Sequence, residues 1–258
     1  MARDGASGTS PRRPGTGEVE RARRSRVAHE GSPVRLRLAA TSDASSIRSI
    51  YAPYVTGTYI SFETEVPAIE DVKRRIGSVV TDLPWIVAES AGDGATSAGD
   101  AFAVDDPPVL GYAYAAPFAA RVAYRWSVET AVYVRLGSER SGVGSFLYRA
   151  LLELLGIQGY RQALAGIALP NDASVGLHEA FGFRCNGVHR AVGYKLGSWH
   201  DVGWWQRALC ETTATDPPAE PAALGTLEPG RVGEVLRSAA SSGDRYRTTD
   251  PRPGGGEL

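Results

Sequence analysis

The stretch W-S-V-E-T-A-V-Y-V-R-L-G-S-E-R-S-G-V-G-S-F-L-Y-R-A-L-L-E-L-L, Trp126 to Leu155, decides the fold. Trp126, Val128, Thr130, Val132 and Val134 alternate with Ser127, Glu129, Ala131 and Tyr133, the period-two pattern of a two-faced strand. One face is apolar or β-branched. The other carries a single carboxylate, Glu129. Further on, Val143, Phe146, Leu147, Ala150, Leu151, Leu154 and Leu155 recur as one apolar stripe at helical spacing. Between strand and helix, Gly142 and Gly144 free the backbone where the first helical N–H groups lack intrahelical partners and can point at an anion. The stretch reads as strand, phosphate-cradling turn and amphipathic helix.

Upstream, Val34–Leu38 alternates as a first strand, and Ser42 or Asp43 caps a helix through Ile47, Ile50 and Tyr51 that ends before Pro53. Tyr59–Pro67 (Y-I-S-F-E-T-E-V-P) suits a substrate-facing loop or short strand. A second helix spans about Ile69 to Val80, and Pro84–Glu89 and Val109–Ala116 are strands. Ser90–Pro108, rich in Gly, Ala, Ser and Asp, reads as a hairpin insertion. Downstream come a strand at Gln162–Leu169, a helix at Asp172–Phe181, and strands around Arg184–Val192 and Tyr194–Trp205. This order is mixed α/β (α+β): a mostly antiparallel, twisted sheet flanked by helices and containing one β-α-β unit.

Composition sets the limits of the folded unit. Residues 1–34 and 210–258 are poor in large apolar side chains and rich in Gly, Pro, Ser and Arg, so both read as disordered tails around a domain at 35–209. A short helix near Arg231–Ala239 is too small to hold itself together. The net charge of −1 argues against a nucleic-acid partner, and no apolar run is long enough for a membrane span. Two cysteines, Cys185 and Cys210, form neither a disulfide framework nor a metal cluster, and a cytoplasmic setting is expected. A dinucleotide fold would need glycine where Leu147 stands, and a P-loop would need G-K-[ST] after the glycines; both are excluded.

The order of elements, with P-W-I-V-A-E (84–89), G-Y-A-Y-A-A-P (111–117), A-Y-R-W-S-V-E-T-A-V-Y-V (123–134), G-V-G-S-F-L-Y (142–148), L-P-N-D-A-S-V-G-L-H-E-A-F-G-F (169–183) and A-V-G-Y-K-L-G-S-W-H-D-V-G-W-W-Q-R (191–207), resembles the GNAT superfamily of acyl-CoA-dependent N-acyltransferases. More narrowly it resembles the phosphinothricin N-acetyltransferase group. The resemblance implies acetyl-CoA as co-substrate, no metal, and direct acetyl transfer to the primary amine of a small amino-acid-like compound, in herbicide or antibiotic resistance. Phosphinothricin, methionine sulfoximine or another amine such as an antibiotic all stay open. So does a non-catalytic acyl-CoA sensor on the same fold.

Residue by residue, the resemblance implies Glu129 and His178 as catalytic groups. It implies backbone contacts to the pantetheine arm from Val132, Tyr133 and Val134. The pyrophosphate falls to Arg140, Ser141, Gly142, Val143, Gly144 and Ser145, and Asn171 lies beside the acetyl group. Phe62, Arg121 and Tyr124 are implied for the acceptor. Two positions depart from the family's pattern: Glu139 stands where Gln or Arg opens the phosphate loop, and Ala119 replaces a lysine of the anion clamp. Glu129 on residues alone could equally be a solvated strand position, and His178 could pack in its helix. His200 is expected to brace a turn by pairing with Asp201, and Cys185 to be buried. The group's members are commonly homodimers, and Trp199, Trp204 and Trp205 suggest an interface.

Overall fold

The computed structural model describes residues 34–91, 108–210 and 218–241. β1 (Val34–Leu38) leads into helices α1 (Ala44–Gly57) and α2 (Ile69–Val79), followed by β2 (Trp85–Ser90), β3 (Val109–Pro117) and β4 (Ser127–Val134). Then come α3 (Val143–Gln158), β5 (Gln162–Leu169), α4 (Asp172–Ala180), β6 (Arg184–Lys195), β7 (Ser198–Ala208) and α5 (Pro229–Ser241). The strands form one sheet in the order β1-β2-β3-β4-β5-β7-β6, antiparallel at every pair except β4–β5.

The parallel pair is the feature that makes a site. β4 and β5 are in register only at Ser127–Glu129 and Gln162–Leu164. Past that point β4 stays with β3 to Val134 and β5 stays with β7 to Leu169, so a wedge opens between them. The α3 stripe explains what holds the frame. Val143, Leu147, Leu151 and Leu154 bury against Ala113, Ala115, Val128, Ala163 and Trp205 on one face of the sheet. On the other face α1 and α2 place Ile47, Ile50, Tyr54, Val72 and Ile76 on Trp85, Val87 and Tyr112. At the open end of β1, Arg37 donates to both Asp43 oxygens at 2.7 Å and to Glu89 at 2.7 Å. Burial alone would raise the Asp43 pKa, but the Arg37 hydrogen bonds and the Ala40 N–H outweigh it and hold the carboxyl below its usual range.

Several boundaries differ from expectation. α1 continues through Pro53 because Tyr54 and Val55 are buried, and that burial offsets the one backbone donor proline lacks. The β6–β7 break falls at Leu196–Gly197, both with positive φ, as a two-residue hairpin turn requires, and not near Gly193. Tyr59–Pro67 is loop. The expected tail from 210 onward is corrected for residues 218–241. Alone, α5 is too short to persist, but Val232, Val235, Leu236 and Ala239 share one face and bury it against α3 and β1. Residues 1–33, 211–217 and 242–258, and 92–107 of the expected insertion, lie outside the described residues. Cys185 is exposed, not buried.

Candidate active site

Glu129 sits on β4 at the last register position before the strands part, beside Ala116 of β3 and Leu164 of β5. It is half-buried, and its carboxylate has no hydrogen-bond or ion-pair partner among the described residues. Burial without compensation pushes its pKa up. On the same face, a cavity of about 220 Å³ is lined by Tyr51, Arg75, Trp85, Tyr112, Tyr114 and Ala116, among others. Burial first, and then the neighbouring Tyr51 and Glu129, push the Tyr114 phenol up to about 12, so it is neutral at any working pH.

The loop between α1 and α2 is latched against the β6–β7 hairpin on this side. Tyr59 stacks on His200 with ring centroids 4.3 Å apart. Its hydroxyl donates to the Pro170 carbonyl at 2.8 Å. Lys195 Nζ donates to the Ser61 carbonyl at 2.5 Å. Arg75 donates to Glu63 at 2.7 Å, and the Tyr51 and Ser61 hydroxyls are 2.6 Å apart. Phe62, partly exposed, packs against Gly193, where a Cβ would come within 2.3 Å of its ring. His200 braces the hairpin through the Lys195 carbonyl at 3.0 Å, whereas Asp201 pairs with Arg190 and the Ala191 N–H. The expected His200–Asp201 pairing is therefore corrected.

Arg121 and Tyr124 flank a short 3-10 turn ahead of β4 and point to different surroundings. Tyr124 packs edge-on against Phe118, which in turn meets Trp204. Arg121 lines an adjoining cavity of about 310 Å³ with Ala119, Asp82, Val128 and Tyr160, which shares Ser78 and Val79 with the first, and it has no ion-pair partner among the described residues. A lysine at position 119 would intrude on that space.

The cofactor side follows from strand geometry. Ser127 accepts a backbone bond from Phe118, and Arg135 donates one to Leu110, so the odd-numbered residues of β4 turn their backbone to β3. Thr130, Val132 and Val134 turn theirs into the wedge. The Val134 carbonyl there accepts from the Tyr54 hydroxyl at 2.6 Å. Tyr133 departs from the expected role: its backbone faces β3 and its ring packs between Tyr51, Tyr54 and Tyr112. Gly142 holds φ +89 and caps α3 with no side-chain bond, leaving the N–H groups of Val143, Gly144 and Ser145 without a capping side chain. Arg140 reaches φ 62, and the Ser141 hydroxyl donates to Ser138. The Glu139 carboxylate accepts from the Gly137 N–H at 2.7 Å, yet its charge still reaches Tyr54, whose pKa burial first and Glu139 next push up. Asn171 caps α4 by accepting from the Ser174 N–H at 3.1 Å. A wedge with open backbone groups leading to an uncapped helix start fits an extended thiol arm ending in a pyrophosphate.

His178 is not brought to Glu129. Its ring lies on the α3 side of β4, buried edge-on to Tyr148 and Phe183. Nδ1 lies 2.7 Å from the Ser174 carbonyl and donates to it, which leaves Nε2 of the neutral ring as an acceptor without a partner among the described residues. Burial lowers its pKa, against the Ser174 bond that raises it. The two residues expected to be catalytic thus lie on opposite faces of β4. Tyr148 links them, bonding Thr130 Oγ1 at 2.7 Å. Of the three expected interface tryptophans, Trp205 is buried in the core and Trp204 faces Phe118; Trp199 is exposed. Sequence reading gave no site role to Arg75 or Tyr54: Arg75 joins Tyr114 in the cavity wall on the Glu129 face, and Tyr54 reaches the Val134 carbonyl, placements that only the packing of α1 and α2 on the sheet creates. No group of His, Cys, Asp or Glu among the described residues is arranged to hold a metal.

The acetyltransferase (GNAT) domain family model matches residues 36–204. The phosphinothricin N-acetyltransferase of Streptomyces viridochromogenes is 39% identical over 192 residues, 74% of this chain and 96% of that protein. The L-methionine sulfoximine/L-methionine sulfone acetyltransferase of Pseudomonas paraeruginosa is 38% identical over 104 residues, 40% of this chain and 60% of that one. The crystal structure of a GNAT superfamily phosphinothricin acetyltransferase from Sinorhizobium meliloti in complex with AcCoA has a TM-score of 0.65 at 32% identity, covering 76% of this chain and 98% of that one. The chain belongs to the GNAT acetyltransferase family, and it is an acetyl-CoA-dependent N-acetyltransferase.

Proposed function

We propose that this enzyme acetylates the primary amine of a small amino-acid-like compound of the phosphinothricin or methionine sulfoximine type, as a detoxifying or resistance activity in the cytoplasm. The observation that carries the reading is Glu129: an unpaired, half-buried carboxylate at the mouth of the wedge, on the face that holds the aromatic cavity. Acetyl-CoA supplies the acetyl group as a thioester. An α-amino group with pKa about 7.7–8.0 or higher is protonated near neutrality and must lose its proton before it attacks. Glu129 takes it, directly or through a water, and a raised pKa makes it a better base. The Val132 N–H stabilises the developing oxyanion, Val132 and Val134 hold the arm, and the α3 start with Arg140 receives the pyrophosphate.

His178 acts through Tyr148 and Thr130, holding β4 beside the base, and is a positioning residue. Phe62 and Tyr124 wall the acceptor and Arg121 meets its acidic end. Names of relatives acting on phosphinothricin and on methionine sulfoximine favour this substrate class. Val192, Tyr194, Leu196 and Trp199 are exposed together on the β6–β7 hairpin and form the contact of a homodimer. Trp199→Glu should halve the mass in solution; an unchanged mass, dimeric or monomeric, rejects that contact.

The deciding experiment is release of CoA thiol from acetyl-CoA against phosphinothricin, methionine sulfoximine, ordinary amino acids and aminoglycosides. Turnover confined to the first two supports the reading. Turnover with aminoglycosides alone would replace it.

A further inference from the structure

Residues 218–228 follow the end of the family match at 204 and take no part in the sheet. They form a strap over three elements. Ala222 exchanges bonds with the end of α3: its N–H donates to the Gln158 carbonyl at 2.8 Å, and Gln158 Nε2 donates to the Ala222 carbonyl at 2.8 Å. Leu224 and Gly225 donate to the carbonyls of Asp82 and Thr81 at 3.0 and 2.9 Å. Leu224 is buried, and α5 then docks on the core. This end of the strap is firmly held. Its other end reaches the turn ahead of β4. Trp126 Nε1 donates to the Ala219 carbonyl at 2.8 Å, and Arg125 Nε meets Glu220 at 2.9 Å. The Arg125 guanidinium also lies 4.2 Å over the Trp126 ring.

The turn itself has little to hold it. Val122–Tyr124 is a single 3-10 turn with no buried residue. Yet Tyr124 precedes Arg125 directly, Arg121 opens the turn, and Trp126 stands three residues before Glu129. We propose that Ala219 and Glu220 of the C-terminal strap position the acceptor-binding turn 121–126, so that a segment outside the catalytic domain's sheet sets affinity for the amine. This rests on the assignment of Arg121 and Tyr124 to the acceptor. The proposed acetyl-CoA contacts lie toward the opposite end of β4 and at the start of α3, whereas the strap holds the far end of α3 at Gln158.

The test uses the full chain with whichever amine is turned over. Glu220→Arg places two cations together and should raise the amine KM about fivefold, with the acetyl-CoA KM and Tm unchanged. Trp126→Phe, which keeps an aromatic face for Arg125 and removes the Nε1 donor, should act in the same direction. The charge swap Arg125→Glu with Glu220→Arg should restore the amine KM. In parallel, amide exchange in residues 121–128 should quicken in Glu220→Arg, a readout that needs no turnover. An unchanged amine KM and exchange rate, an equal rise in both KM values, or a swap that restores nothing would each overturn the inference. Arg121→Ala separates the two readings. If it leaves the amine KM unchanged the acceptor assignment fails; if it raises the KM while Glu220→Arg does not, only the strap's role fails.

Discussion

At the scale of single residues, Glu129 couples stability to chemistry. Its carboxyl is raised by burial, so the native state holds its proton to higher pH than the unfolded chain does. The group is therefore neutral in its effect at low pH and destabilises increasingly as pH rises through the folded value. Glu129→Gln should lower kcat by roughly 10²-fold while its Tm at pH 7 stays equal to or above that of the wild type. The acid limb of the wild-type kcat/KM profile should move up to the pKa of the free amine, which then loses its proton to solvent. A lower Tm would mean that the carboxylate makes a stabilising contact. Glu129 itself was legible in the sequence as the one acid on a strand face, but its lack of a partner was not, because that depends on every element around it.

At the scale of elements, the α1–α2 loop gains its order from the β6–β7 hairpin and not from its own sequence. Phe62 over Gly193, Tyr59 on His200 and Lys195 on the Ser61 carbonyl are contacts between segments over 100 residues apart. Gly193→Ala would push a methyl group into the Phe62 ring, which can swing aside into solvent. The expected result is about a tenfold loss in kcat/KM for the amine with a Tm loss of about 2–4 °C. Unchanged amine kinetics would free Phe62 from any part in acceptor binding. Loop character at Tyr59–Pro67 was readable from its mixture of aromatic and polar residues. The partner of the loop was not.

For the whole molecule, the unexpected part is the C-terminal segment. α5 completes the core between α3 and β1, with Val235 and Ala239 fully enclosed. Val235→Asp should cost about 3–5 kcal/mol as an unpaired buried charge, a fall in Tm of roughly 10 °C. Circular dichroism melting measures it, and a loss of under 2 °C would show that α5 docks dispensably. Composition misled here because four apolar residues spread over a Gly- and Arg-containing helix look too few to fold. They suffice when a preformed groove receives all of them on one side.

What the sequence determined by itself was the local grammar: alternation in β4, the helical stripe of α3, glycine at the turn between them, and with these the family and its cofactor. Those are near-neighbour properties, set by the 2.0 and 3.6 residue periods and by the backbone freedom of glycine. Only the tertiary structure decided that His178 lies beneath the cleft and not within it, that Tyr133 turns its backbone away from the wedge, and that Arg121 and Tyr124 part company. It alone joined residues 219–225 to the turn before β4. Each of these is a pairing between distant segments, fixed by which faces of the sheet the helices cover, and no short-range pattern in the chain encodes that choice.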